Sequence, residues 1–170
     1  MSWNDVSDSV NPIARSLAIF GDRWTLLIMF ELAMGMHRFD EIQAQTGMSS
    51  YLLSSRLKRL EKDGLITRCP YSERATRFDY HPTPKGKELD PLLMMLCFWG
   101  MKWCGYGPED ETATKLVYKP TGETVSEHWL HTSSEKPLTY DDCDCTLNEA
   151  FQSERSAKRQ AFRASKRNGH

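Results

Sequence analysis

One stretch restricts the fold more than any other. Residues 50–63 place Leu53, Leu57 and Leu60 at i, i+4 and i+7, the inward stripe of a helix that Ser49 begins and Gly64 closes. At about 100° per residue the opposite face gathers Tyr51, Ser54, Ser55, Lys58 and Lys62, with no acid among them. Two β-favouring segments follow, 65–71 and 77–82, marked by Ile66, Phe78 and Tyr80. The polar stretch 72–76 between them carries Arg74, and Arg77 comes directly after it. Upstream, Asp40 can cap a brief helix over 41–46 that Gly47 stops, after a short strand at 36–39.

Two helices joined by a short glycine-containing turn, then a hairpin with a basic tip, describe a winged helix-turn-helix. A helix of this diameter fits the major groove of DNA, and an arginine on a protruding hairpin reaches backbone phosphate or the adjacent minor groove. The expected recognition helix is 50–62. It opens at Ser50, reads bases through Tyr51, Ser54, Ser55 and Lys58, and carries Lys62 on the same face, while Arg56 and Arg59 flank that face and position phosphates. The expected wing is 71–78, with Tyr71, Ser72, Arg74 and Arg77 as its DNA contacts.

The flanking segments are helical. Asn11 and Pro12 suit a first turn, and Ile13, Leu17 and Phe20 give that helix one apolar side up to Gly21. Asp22 can cap a second helix through residue 34, with Trp24, Leu27, Ile28 and Leu32 at helical spacing. Thr83 and Pro84 start another, rich in Leu and Trp, which Pro91 kinks or restarts behind Asp90. The fold class is therefore mainly α (α+β), with three expected regions: 1–106 as the winged-helix unit, 107–145 as a small acidic β-hairpin extension and 146–170 as a basic, flexible tail, for which the alternative is a marginal helix that adds phosphate contacts.

A net charge of −1 hides a strong division. Residues 1–103 hold 13 Lys+Arg against 12 Asp+Glu, residues 104–151 hold 3 against 10, and residues 152–170 hold 6 against 1. Binding to a polyanion depends on the field within about 8 Å in physiological salt, so a basic face on a near-neutral chain is allowed. The longest apolar run, 92–99, falls short of the ~20 residues a membrane helix needs. The first ten residues have neither a basic start nor an apolar stretch, so a cytoplasmic protein without membrane association is expected. Five cysteines, an odd number, argue against a disulfide framework.

Residues 11–28 (NPIARSLAIFGDRWTLLI), 37–42 (HRFDEI), 54–74 (SSRLKRLEKDGLITRCPYSER) and 83–89 (TPKGKEL) resemble the HxlR-type branch of bacterial winged-helix transcriptional regulators, relatives of the MarR group. The resemblance covers about 12–104. It implies a homodimer built on terminal helices, including a dimerisation helix late in the winged-helix region. Each subunit would set one recognition helix and one wing on double-stranded DNA at a pseudo-palindromic operator. The leading function is a repressor, with release by a small aromatic or electrophilic effector as an addition to it. Two departures matter. The family pattern has Cys directly before the first Pro, where this chain has Asn11, so a thiol sensor is not carried over. The region around 115–140 resembles a C-terminal double-hairpin extension of some members, but its turns at 120–122 and 134–136 lack the cysteines found there.

Other groups admit two assignments. Trp24, Met94, Met95, Phe98, Trp99 and Trp103 suit either a dimer core or the walls of an effector pocket. Cys97 and Cys104 are redox candidates through an inter-subunit disulfide, or apolar fillers. Cys143 and Cys145, with His128 and His131, leave only one residue between the thiols, unlike the C-x2–4-C of zinc sites, and are expected on the surface of the extension. No metal, cofactor or catalytic residue is expected, since no nucleophile–base spacing or glycine-rich phosphate loop stands out, and the chain is not read as an enzyme. A degenerate winged helix acting as a protein-interaction module through its acidic segment is the alternative function.

Overall fold

The computed structural model describes residues 8–70, 77–107, 110–132 and 137–168 of the chain. Asn11 accepts the N–H of Ile13 and Pro12 occupies the first turn, so helix α1 (Pro12–Phe20) begins where the Asn-Pro pair directs. Asp22 accepts the N–H groups of Trp24 and Thr25 and the Thr25 hydroxyl, and from that turn α2 (Thr25–Ala33) departs. Helix α3 (Phe39–Thr46) starts earlier than Asp40 would allow. Arg38 stands at its cap position, and its N–H donates to the Glu41 carboxylate at 3.1 Å. Gly47, at φ +69°, ends α3, and a three-residue turn leads into α4 (Ser50–Lys62).

Strands β1 (Ile66–Pro70) and β2 (Phe78–Pro82) pair antiparallel, Ile66 opposite Pro82 and Pro70 opposite Phe78. The strand expected at 36–39 reduces to a bridge between Arg38 and Asp79, beside which the Tyr80 N–H donates to the His37 carbonyl at 2.8 Å. Thr83 caps the single turn α5 (Pro84–Lys87), and Pro91 in the first turn of α6 (Asp90–Trp103) restarts the helix without kinking it. Gly86 is buried: a Cβ there would lie 2.1 Å from the carbonyl oxygen of Leu65, the residue before β1, so only glycine lets α5 approach the chain there.

The extension is more than a hairpin. Strand β3 (Thr114–Tyr118) pairs antiparallel with β4 (Cys143–Leu147), and the connection contains α7 (Glu127–Thr132) and a 3-10 turn at Tyr140–Asp142. The turn at 120–122 does exist, closed by a Val117–Thr124 bridge with Gly122 at φ +72°; the one at 134–136 lies outside the described residues. Leu116, Val125, Trp129, Leu138, Tyr140 and Cys143 join Ile28, Leu32, Leu93 and Met94 in one hydrophobic cluster. The extension thus shares the winged-helix core, and Cys143 is buried in it, contrary to its expected surface place. Among the described residues no group of His, Cys, Asp and Glu is arranged to hold a metal ion, and no helix is long and apolar enough to cross a membrane.

Asp90, in the first turn of α6, fastens the extension by accepting the Tyr140 N–H at 3.0 Å. Burial pushes its carboxyl up to about 6, although the Tyr140 N–H opposes the shift. A folded-state value above the ordinary 3.8 means that stability present below about pH 4 is lost as pH rises through about 6. Asp90→Asn keeps an acceptor for the Tyr140 N–H and carries no charge. It should therefore melt higher than wild type at pH 7.5, by up to about 3 kcal/mol, and equal it at pH 4. Thermal melts at the two pH values check this; a loss of stability at pH 7.5 would contradict it.

The tail expected to be flexible is instead the 20-residue helix α8 (Glu149–Asn168). Asn148 caps it by accepting the Phe151 N–H at 2.8 Å. Its Arg155 is buried and makes two hydrogen bonds with Glu31 of α2, at 3.0 and 2.6 Å. The Arg155 carbonyl accepts the Gln45 side chain of α3, and further along Lys166 pairs with Asp40 at 2.7 Å. Terminal position argued for fraying, but this helix is docked along one side, with Phe151 and Phe162 half-buried and Arg155 buried and paired.

Candidate nucleic-acid interface

The α3–α4 turn is locked by one side chain. Gln43 donates from Nε2 to the Met48 carbonyl at 3.1 Å and to Ser50 Oγ at 2.9 Å, while its buried Oε1 has no partner among the described residues. Met48 is buried beneath the turn, and Ser49 Oγ accepts the Leu52 N–H. Leu53, Leu57 and Leu60 are at most 2% exposed, which fixes the rotation of α4 about its axis. Tyr51 is consequently 87% exposed, with Ser55, Lys58 and Lys62 also exposed and Ser54 half-buried beside them. None of these five makes a side-chain hydrogen bond or ion pair among the described residues. Ser50, by contrast, is already engaged by Gln43.

Arg56 and Arg59, expected to flank the reading face, also have partners within the protein. Arg56 Nη1 meets Asp22 at 3.3 Å, and Arg59 donates to the Ala18 carbonyl while its Nε lies 3.6 Å from Asp63. Burial works against ionisation of Asp22, but hydrogen bonds from Thr25 and Trp24, together with Arg56, outweigh it and hold the carboxyl below its usual range. Both arginines tie α4 to the α1–α2 segment. Sequence spacing missed this because it reports direction, not reach.

At the wing, Arg77 is exposed directly before β2, whereas Tyr71, Ser72 and Arg74 lie outside the described residues. Arg68 on β1 pairs with Glu61 at 3.1 Å and stacks over Phe78 at 4.8 Å, joining the hairpin to the end of α4. The end of α4 and the hairpin are therefore braced against one another.

Helix α6 presents two faces. Leu93 and Met94 are buried, and Trp24, Met95 and Phe98 are half-buried. On the other face Leu92, Leu96, Trp99 and Trp103 recur at i, i+4, i+7 and i+11, and they are 36, 43, 58 and 65% exposed. Ile13 and Leu17 of α1 are exposed as well. The expected group thus divides: Trp99 and Trp103 on the outer face, the other four toward the interior. Between α6 and the extension lies a cavity of about 250 Å³ with Met94, Cys97, Phe98, Leu116, Val125 and Tyr140 among its walls. Cys97 Sγ lies 3.8 Å from Thr114 Oγ1, on the interior side, and Cys104 is exposed at the end of α6.

The residues missed by sequence reasoning are Glu31 and Arg155. Glu31 is the one charged residue between 24 and 36 in an otherwise apolar helix, which signals a buried partner of opposite charge.

Comparison with known proteins agrees with this geometry. The family model for HxlR-like helix-turn-helix proteins matches residues 19–107. An HTH-type transcriptional regulator of Mycobacterium tuberculosis is 34% identical over 128 residues, spanning 75% of this chain and 79% of the relative. The solved structure of PA1607, described as a transcription factor, superposes with a TM-score of 0.65 at 28% identity, over 85% of this chain and 99% of that one. A MarR-family regulator from Porphyromonas gingivalis gives 0.51 at 33% identity, over 57% and 96%.

Proposed function

Because the chain belongs to the HxlR-like helix-turn-helix family, whose members among its relatives are transcriptional regulators, we propose that it is a homodimeric, sequence-specific repressor. Each protomer sets α4 in the major groove of a pseudo-palindromic operator and the 71–78 wing on the backbone or minor groove. The observation that carries this is the exposed and acid-free face along α4, Tyr51, Ser55, Lys58 and Lys62, unpaired among the described residues. Ser54 lies beside them, and Ser50 holds the first turn in register. Arg56 and Arg59 flank that face and position phosphates, while their internal partners tie α4 to the α1–α2 segment. Arg77, and Tyr71, Ser72 and Arg74 of the tip, supply the wing contacts.

The outer stripe of α6 with Ile13 and Leu17 of α1 is the surface that pairs the protomers. Release by a small aromatic or electrophilic effector uses the cavity behind the same helix. It exceeds the ~150 Å³ of an engineered void that takes up benzene, and Cys97 and Tyr140 line it. Linkage requires effector and operator to change one another's affinity by the same factor.

Tyr51→Ala tests the base-reading role. The variant should still bind duplex DNA but lose roughly tenfold preference at a few bases, in line with the ~1–3 kcal/mol of a good base contact. A binding-site profile identical to wild type would remove Tyr51 from the reading face. Failure of the wild-type chain to bind any duplex would favour the protein-interaction alternative.

A further inference from the structure

We propose that α8 is a third DNA-contacting element, gripping phosphates that flank the half-site; this rests on the DNA-binding function proposed above. Residues 157–167 contain five Lys or Arg and no acid. Arg159, Arg163 and Arg167 recur at i, i+4 and i+8, all three are exposed, and none has an ion-pair or hydrogen-bond partner among the described residues. The other two cations are taken: Lys158 by Glu154 and Lys166 by Asp40. Three free guanidinium groups therefore line one ridge.

The position of that ridge, more than its charge, points to DNA. In helix-turn-helix docking, the helix before the recognition helix crosses the sugar–phosphate backbone. Here that helix is α3, and α8 runs back along it. The Arg155 carbonyl meets Gln45 near the end of α3 leading into α4, and Lys166 meets Asp40 in the first turn of α3. From Arg155 to the end of α8 the helix extends about 20 Å, beyond the ~12 Å of α3. Whatever backbone α3 crosses, α8 lies beside, and its far end overhangs toward neighbouring phosphates. Lys166 also neutralises Asp40, an acid on the crossing helix that would repel phosphate.

The anchor suits the role. Phe151, Arg155 and Phe162 face the body of the protein, half-buried or buried, so the arginine ridge is held outward by packing and by the Glu31 pair. A helix fixed before binding loses less conformational freedom on docking than a disordered basic tail.

The test uses the full chain with Arg159→Gln, Arg163→Gln and Arg167→Gln combined, on a duplex selected by the wild type. These positions are exposed and glutamine is a good helix former, so helix content and melting temperature should match wild type. The slope of log K against log salt should become shallower by about 0.9 for each phosphate no longer neutralised, up to about five for both protomers of a dimer. The protected footprint should shorten at its outer edges, with the half-site sequence unchanged. A control with Lys115→Gln removes positive charge elsewhere and should leave the footprint intact. Unchanged slope and footprint in the triple variant overturns this inference alone, as does an equal effect per charge in the control. A wild type that binds no duplex overturns it together with the DNA-binding function.

Discussion

Trp99→Asp with Trp103→Asp should yield a monomer that binds a two-half-site duplex at least about a hundredfold more weakly than wild type. The two tryptophans close a stripe in which Leu92, Leu96, Trp99 and Trp103 repeat at i, i+4, i+7 and i+11, more than half exposed at its last two positions. Such a contiguous apolar stripe on a helix marks an interaction surface. A carboxylate at each position leaves the core untouched, since Leu93 and Met94 point the other way, but forces charge into any pairing face. Loss of pairing costs the effective-concentration advantage of the second half-site, about 10²–10⁴. Binding to an isolated half-site should be unaffected. Sedimentation and duplex titration check both parts; a dimer that persists would assign the stripe to something else.

The second large effect concerns stability. Arg155→Met leaves Glu31 as an uncompensated carboxylate in a site where both side chains are at most 10% exposed, and should destabilise the fold by about 3–5 kcal/mol. Glu31→Met with Arg155→Met should recover most of that loss, because a desolvated pair contributes little net energy against apolar side chains of similar size. Chemical denaturation of the three chains makes the comparison. A double variant as unstable as the single one would mean that α8 is held by the pair itself, not by the packing of Phe151 and Phe162. Either variant that frees α8 should also raise the amide exchange of α3, against which it packs.

What could be foreseen from the residues follows from the range of the forces involved. Helix α4 was legible because its determinants are local: Ser49 at one end, Gly64 at the other, and leucines at helical spacing between. The exposed face followed by geometry alone. The partners of Arg56 and Arg59 did not, because Asp22 and Ala18 lie more than thirty residues away and nothing in the helix period encodes them. Arg155 and Glu31 are 124 residues apart. The composition of 152–170 suggested a solvated end, whereas Phe151, Arg155 and Phe162, at i, i+4 and i+11, already formed one side of a docked helix. Cys143 and Cys145 stand two apart on β4 and so share a face; Cys143 nonetheless enters the core while Cys145 stays exposed.

Affinity selection of duplexes from a random pool tests the central claim most directly. An acid-free α4 face presented twice by a symmetric dimer should enrich an inverted repeat, its half-sites centred about one helical turn of DNA apart or a multiple of it. No enrichment over the starting pool, or a single asymmetric element bound by one protomer, would contradict the account.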